Sequence, residues 1–141
     1  MTRRLALESV VVLTIIAAGR GAVVAPWTYG RMPKTLFIVN DAPYGTERCY
    51  NALRLAGSLA KRDGEEVKVL LIGDAASCAK KDQKVPQGCY NLEVMLHGVA
   101  GRGGEIGVCA TCMDSRGMSD SELTDTTRRL HPAERTAGIA D

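Results

Sequence analysis

The stretch "TLFIVNDAPYGTERCYNALRLAGSLAKRDGEEVKVLLIGD", residues 35–74, decides the fold. Its first six residues are apolar and rich in β-branched types, and a Pro-Gly loop, "DAPYG", follows them, which is the pattern of a buried strand and its exit. Thr46 is placed to cap a helix. Beyond it Cys49, Leu53, Ala56, Leu59 and Ala60 recur at three- and four-residue intervals, with Arg48, Arg54 and Lys61 on other faces. That spacing gives an amphipathic helix. It stops at "KRDGEE", where basic residues precede Gly64, and "VKVLLIGD" supplies a second buried strand. Strand, helix and strand at this separation form a βαβ unit. The expected class is therefore α/β, a mostly parallel β-sheet with helices on both faces.

Further along, "AASCAKKDQKVPQGCYNLEVMLHGVAGRGGEIGVCATC", residues 75–112, reads as a short helix or turn and a polar loop through Pro86 and Gly88. A helix from about Tyr90 to Val99 and a third strand, Glu105–Cys109, follow. "SDSE" at 119–122 is a capping-box pattern that predicts a fourth helix starting there, with Pro132 ending it. Cys109 and Cys112 are thus placed between the carboxyl end of a strand and a helix, on the sheet edge where ligands and chemistry gather in open α/β folds.

A chain of 141 residues, 45% of them hydrophobic, is enough for one domain with its own core and too short for two. A formal charge of +2, with one Trp, one Phe and four Tyr, leaves little basis for binding nucleic acid. Five cysteines are an odd number at irregular spacing, so at least one thiol is unpaired. A reducing, cytoplasmic setting fits. Residues 1–31 differ from the rest: Arg3 and Arg4 precede "LALESVVVLTIIAAG", a signal-like arrangement that Glu8 interrupts. The unbroken apolar run Val10–Ala18 is too short to span a bilayer, so no membrane partner is expected. Three readings apply to this extension: a dispensable or non-native start before Met32, an export signal, or an extra helix. The main domain is expected at 32–131 and a short atypical tail at 132–141.

Three chemistries suit Cys109-x-x-Cys112. Structural zinc wants two matched ligand pairs, whereas Cys78 and Cys89 are differently spaced and His97 and His131 have no partner at ligand spacing. A redox dithiol at a helix start would be activated by the helix and a nearby cation, for which Arg116 is the candidate. A nucleophile that accepts sulfur makes the same demands. Cys109 also admits a plainer reading as a small buried apolar group. No Gly-rich phosphate loop is present, so no cofactor is implied. The loops after the first two strands bring Asp41, Tyr44, Cys78, Lys80, Lys81 and Gln83 toward the cysteine edge as pocket-lining candidates; the plainer reading is a buried spectator thiol for Cys78 and helix capping and turn formation for the others.

"FIVNDAPYGTERCYNALRLAGSLAK", "GDAASCAKKDQKVPQGCYNLEVML" and "GVCATCMDSRGM" together resemble the DsrE/DsrF-like family, including its YchN-like branch. The resemblance covers roughly residues 34–130. It implies a compact three-layer α/β domain that forms homo-oligomers, commonly trimers or hexamers, and a sulfur-relay role with donor and acceptor proteins as partners. In the family's sulfur carriers the persulfide cysteine ends a strand, eight residues before the glycine of an Arg-Gly pair. Cys109 has that spacing to Gly117, with Arg116 before it, and Cys112 does not. The resemblance therefore assigns persulfide acceptance to Cys109, and Cys112 would then resolve the persulfide or a disulfide. A non-catalytic oligomeric binding module of the same fold is the alternative, and a zinc protein the third. Members of the family continue through a further helix into a last strand, from which the tail after "TDTTRRL" departs.

Overall fold

The computed structural model describes residues 33–134. The readings of residues 1–31 and of the tail beyond residue 134 lie outside them. Four strands, β1 (Lys34–Val39), β2 (Glu66–Leu71), β3 (Glu105–Cys109) and β4 (Arg128–Leu130), form one sheet in the order β1-β2-β3-β4. All three pairings are parallel. Helix α1 (Arg48–Leu59) joins β1 to β2, and a 3-10 segment (Gly73–Ala79) with helix α2 (Leu92–Ala100) joins β2 to β3. A short helix α3 (Ala110–Asp114) follows β3 directly. The chain is a single α/β domain with a parallel sheet and helices, as residues 35–74 predicted; of the two faces expected to carry helices, α1 and α2 cover one, and among the described residues the other leaves Ile38 exposed.

The core follows the two periodicities. On β2, Val67, Val69 and Leu71 alternate onto one face; Val69 and Leu71 stand beside Ile106 and Val108 of β3. Cys49, Leu53 and Ala56 of α1 and Leu92, Leu96 and Val99 of α2 close over them in the same cluster. The two helices also pack against each other, which places them on one side of the sheet. The opposite face carries Leu36, Ile38 and Leu70 with the Lys34–Glu66 (3.5 Å) and Lys68–Glu66 (3.2 Å) ion pairs.

Gly107 in β3 marks a close approach. A methyl group added there would overlap Leu130 of β4, lying 2.8 Å from its Cγ, and Leu130 is buried. Gly107→Ala is expected to cost about 1–3 kcal/mol by overpacking. The check is the midpoint of urea unfolding, which should fall with an unchanged slope.

Three local expectations need correction. Thr46 does not cap α1: the N-cap is Glu47, without a side-chain cap bond, and the Thr46 hydroxyl donates to Asp41 Oδ2 at 2.5 Å. The helix predicted from Ser119 is only a 3-10 turn, Asp120–Glu122. Its start is satisfied, since Glu122 Oε2 accepts the Ser119 N–H at 2.8 Å. The following "TDTT" then sets β-branched residues where a helix would have to propagate. The backbone instead extends into β4, which pairs with β3 through Gly107–Arg128, Val108–Arg129 and Cys109–Leu130. Pro132 accordingly ends no helix; it opens a helical turn at 132–134, where its fixed φ and missing N–H suit the first position.

Candidate functional site

The carboxyl ends of β2 and β3 lie side by side, with Leu71 opposite Val108, so the residues that follow each strand meet at one edge. Cys109 is both the last residue of β3 and the N-cap of α3. Its Sγ accepts the N–H of Cys112 at 3.3 Å and lies 3.3 Å from the Thr111 hydroxyl. One helical turn on, Cys112 returns its side chain over Cys109, and the two form a disulfide with a Cα–Cα distance of 5.2 Å. The sequence placed several residues between Cys112 and the next helix; the structure starts α3 at Ala110, immediately after Cys109. Cys109 is fully buried and Cys112 half-buried.

Arg116 is held close to the pair by the way α3 ends. Gly117 has a φ of +62°, the left-handed conformation that glycine adopts without a Cβ penalty. It lets the Met118 N–H return to Met113 O at 3.0 Å and the Gly117 N–H to Asp114 O at 3.1 Å. This is a Schellman closure, a physical reason for the Arg-Gly pair. From there Arg116 Nη1 donates to Cys112 O at 2.9 Å and to Ser115 Oγ at 3.1 Å. Its Nη2 donates to Asp74 Oδ1 at 2.5 Å. The guanidinium is thus engaged by a carboxylate and a carbonyl rather than standing as a lone cation over the sulfurs. Asp74 belongs to the 3-10 segment, and its neighbour Gly73 donates its N–H to Cys112 Sγ at 3.2 Å.

Gly73 and Asp74 were missed in the sequence, where "LLIGD" reads as the end of a strand. The signal was a glycine just past an apolar run. Gly73 indeed has a φ of +54°, and an added Cβ would stand 3.3 Å from Asn40 O.

The pocket-lining candidates assemble into a neighbouring polar network. Tyr44 donates to Gln83 Oε1 at 2.7 Å, and Gln83 Nε2 donates to the carbonyls of Cys78 and Lys80, each at 2.8 Å. Tyr44 also stacks on Tyr90 at a centroid separation of 5.6 Å, and Tyr90 lies 4.6 Å from Tyr50. Lys80 pairs with Glu122 at 2.9 Å, while the Lys81 backbone N–H donates to Glu122 O at 2.9 Å. Asp41 pairs with Arg48 at 3.6 Å, and the Thr46 hydroxyl holds its carboxyl below the ordinary carboxylate range. Cys78 is fully buried beside Cys49, whose thiol donates to Asp41 O at 3.0 Å. Burial pushes both thiols up, so neither is a ready thiolate. Among the described residues no three His, Cys, Asp or Glu side chains converge as a set of metal ligands, and no helix is long and apolar enough to cross a membrane.

Glu122 ties this network together. The Ser119 N–H, together with Lys80, lowers its carboxyl to about 2 from an ordinary value of 4.5. Because the folded value lies below the unfolded one, its contribution to stability is complete above about pH 4.5 and is lost as pH falls toward 2. Glu122→Gln should therefore flatten the acid limb of stability between those limits. Thermal unfolding of both proteins across that range, with parallel acid limbs as the contrary result, checks this.

A model of the DsrE/DsrF-like family matches residues 33–137. The chain belongs to the DsrE/DsrF-like family. Protein YchN of Escherichia coli is 35% identical over 95 residues, covering 67% of this chain and 80% of YchN. An uncharacterized protein of Methanopyrus kandleri is 38% identical over 88 residues, 62% of this chain and 71% of that one. The crystal structure of YchN from E. coli superposes with a TM-score of 0.72 at 31% identity, covering 78% of this chain and 94% of that one. A protein of unknown function from Methanobacterium thermoautotrophicum shares the fold, with a TM-score of 0.57 at 12% identity and coverage of 77% and 88%. Membership in this DsrE-like, sulfur-relay-type family is the coarse functional assignment of the chain. Within the matched residues lie Cys109, Cys112 and the Arg116–Gly117 pair.

Proposed function

We propose that this DsrE-like protein is a sulfur carrier in which Cys109 accepts a persulfide sulfur and Cys112 resolves it. The observation that carries this reading is the disulfide-distance pairing of the two cysteines at the strand-to-helix junction, with a backbone N–H aimed at each sulfur. Starting from the reduced pair, the Cys109 thiolate attacks the outer sulfur of a donor persulfide. The donor's inner sulfur leaves as a thiolate, and Cys109 becomes a persulfide with no net change of oxidation state across the pair of proteins. Either an acceptor protein then takes the outer sulfur, or the Cys112 thiolate attacks Cys109 Sγ. In the second case the outer sulfur leaves as hydrosulfide and the Cys109–Cys112 disulfide remains, to be reset by a two-electron dithiol reductant. The partners are sulfur donor and acceptor proteins, and the carrier is a homo-oligomer.

A second reading exchanges the two roles. It is favoured by burial, because Cys109 is closed off while Cys112 is half-buried and faces the Gly73 N–H. Adding one equivalent of a persulfide donor to the reduced protein tests the shared chemistry. One hydrosulfide released and one disulfide formed per chain, after a transient one-sulfur adduct, is the expected course. Unmodified protein with both thiols still alkylatable would sink both readings and leave a binding module.

A further inference from the structure

We infer that the Gly73 N–H is a built-in hydrogen-bond donor to the Cys112 thiolate, and that the Asp74–Arg116 pair positions it. The inference rests on the reading of Cys112 as a thiol that reacts. The Gly73 N–H reaches Cys112 Sγ at 3.2 Å from the start of the 3-10 segment, just past the end of β2, its amide oriented by the extended Ile72 before it. Asp74, the next residue, is bound to Arg116 Nη2, and the same guanidinium holds the carbonyl of Cys112 through Nη1. One fork therefore fastens the segment carrying the donor to the residue carrying the acceptor, across a sequence separation of 42. A planar guanidinium is suited to such two-point bridging, and a lysine is not.

Hydrogen bonding to the charged form favours that form. A Cys112 thiol facing the amide is thereby held as thiolate, the species needed to attack Cys109 Sγ and expel hydrosulfide. The charged groups around it are Asp74 on the 3-10 segment and Arg116 after α3, and these largely cancel. Arg129 of β4 is engaged by Asp114 and Asp120. The backbone dipole at Gly73 is left as the directed contribution. The exposed Asp74–Arg116 pair adds little stability by itself; its part is to keep two elements in register.

The test uses reduced full-length Cys109→Ser, in which Cys112 titrates alone at this site. The Gly73 amide resonance is followed against pH together with the ultraviolet absorbance of the Cys112 thiolate. We expect the amide to move downfield with the same midpoint as the absorbance. In the charge-neutral double substitution Asp74→Ala with Arg116→Ala, the midpoint should rise and alkylation of Cys112 at neutral pH should slow about two- to fivefold, the range of a partly exposed pair. A Gly73 amide that ignores the Cys112 titration overturns the inference, as does a double variant with an unchanged profile. Should the double variant not fold, the Gly73 titration decides alone. A titrating Gly73 in a protein whose reduced wild type takes up no sulfur would instead overturn the proposed function and leave this donor standing.

Discussion

In Cys112→Ser the one-sulfur adduct on Cys109 is expected to persist at least about tenfold longer than in the wild type, with hydrosulfide release reduced to the level of slow hydrolysis or donor reversal. The reason is the geometry of the second step. In the disulfide form Cys112 Sγ is joined to Cys109 Sγ within one helical turn, and the Cys112 N–H donates to Cys109 Sγ, the sulfur under attack, so the second step needs little rearrangement of the backbone. Holding reactants in attack geometry is worth many orders of magnitude in effective concentration, so about a factor of ten is a conservative lower limit. Serine keeps the N-terminal turn of α3 intact but is no nucleophile toward a persulfide at neutral pH. Timed acid quenching and intact mass follow the adduct. An adduct that decays equally fast in both proteins would remove Cys112 from the reaction.

Leu71→Ala is expected to cost about 2–5 kcal/mol of folding stability, the range for a buried leucine truncated in a packed core. Leu71 is fully buried at the end of β2, the strand between β1 and β3, and packs in the cluster shared by α1 and α2. Neighbours from both helices and both strands fix the cavity walls, so little collapse is available to offset the loss. The same side chain lies two residues before Gly73, so the variant should also loosen the edge that carries the cysteines. Urea unfolding measures the first effect; faster disulfide reduction by a small thiol measures the second. A loss under about 1 kcal/mol would mean that the site collapses around the truncated residue, contrary to this account.

How far the sequence led depended on how local the cause was. The βαβ unit was legible because each element carries its own period and its own stop, down to Gly64 before β2. Strand β3 was read with its observed ends, Glu105–Cys109. The region after Cys112 was not, because a satisfied capping box fixes only the start of a helix, while β4 is decided by the ladder offered by β3. Helix α3 escaped for a related reason: its stability comes from the Cys109 cap and the Gly117 closure rather than from any apolar stripe.

The candidate site divides in the same way. Cys109, Cys112 and Arg116 stand close together in the chain, and their pattern was visible. Gly73 and Asp74 approach from a sequence distance of about forty residues; the glycine after an apolar run marks a local turn but carries no signal of which residue it meets. The expected pocket residues Tyr44, Gln83 and Lys80 do assemble, but largely with one another and with Glu122 rather than on the sulfurs. Cys78 joins Cys49 in the buried core, in line with its plainer reading as a spectator thiol.

Locating the transferred sulfur distinguishes acceptance at Cys109 from acceptance at Cys112. Reduced wild type, Cys109→Ser and Cys112→Ser are each exposed to a persulfide donor, quenched, alkylated and peptide-mapped. The expected result is a one-sulfur adduct on Cys109 that is trapped in Cys112→Ser and absent in Cys109→Ser. An adduct mapped to Cys112 and retained in Cys109→Ser would contradict the assignment and establish the exchanged roles.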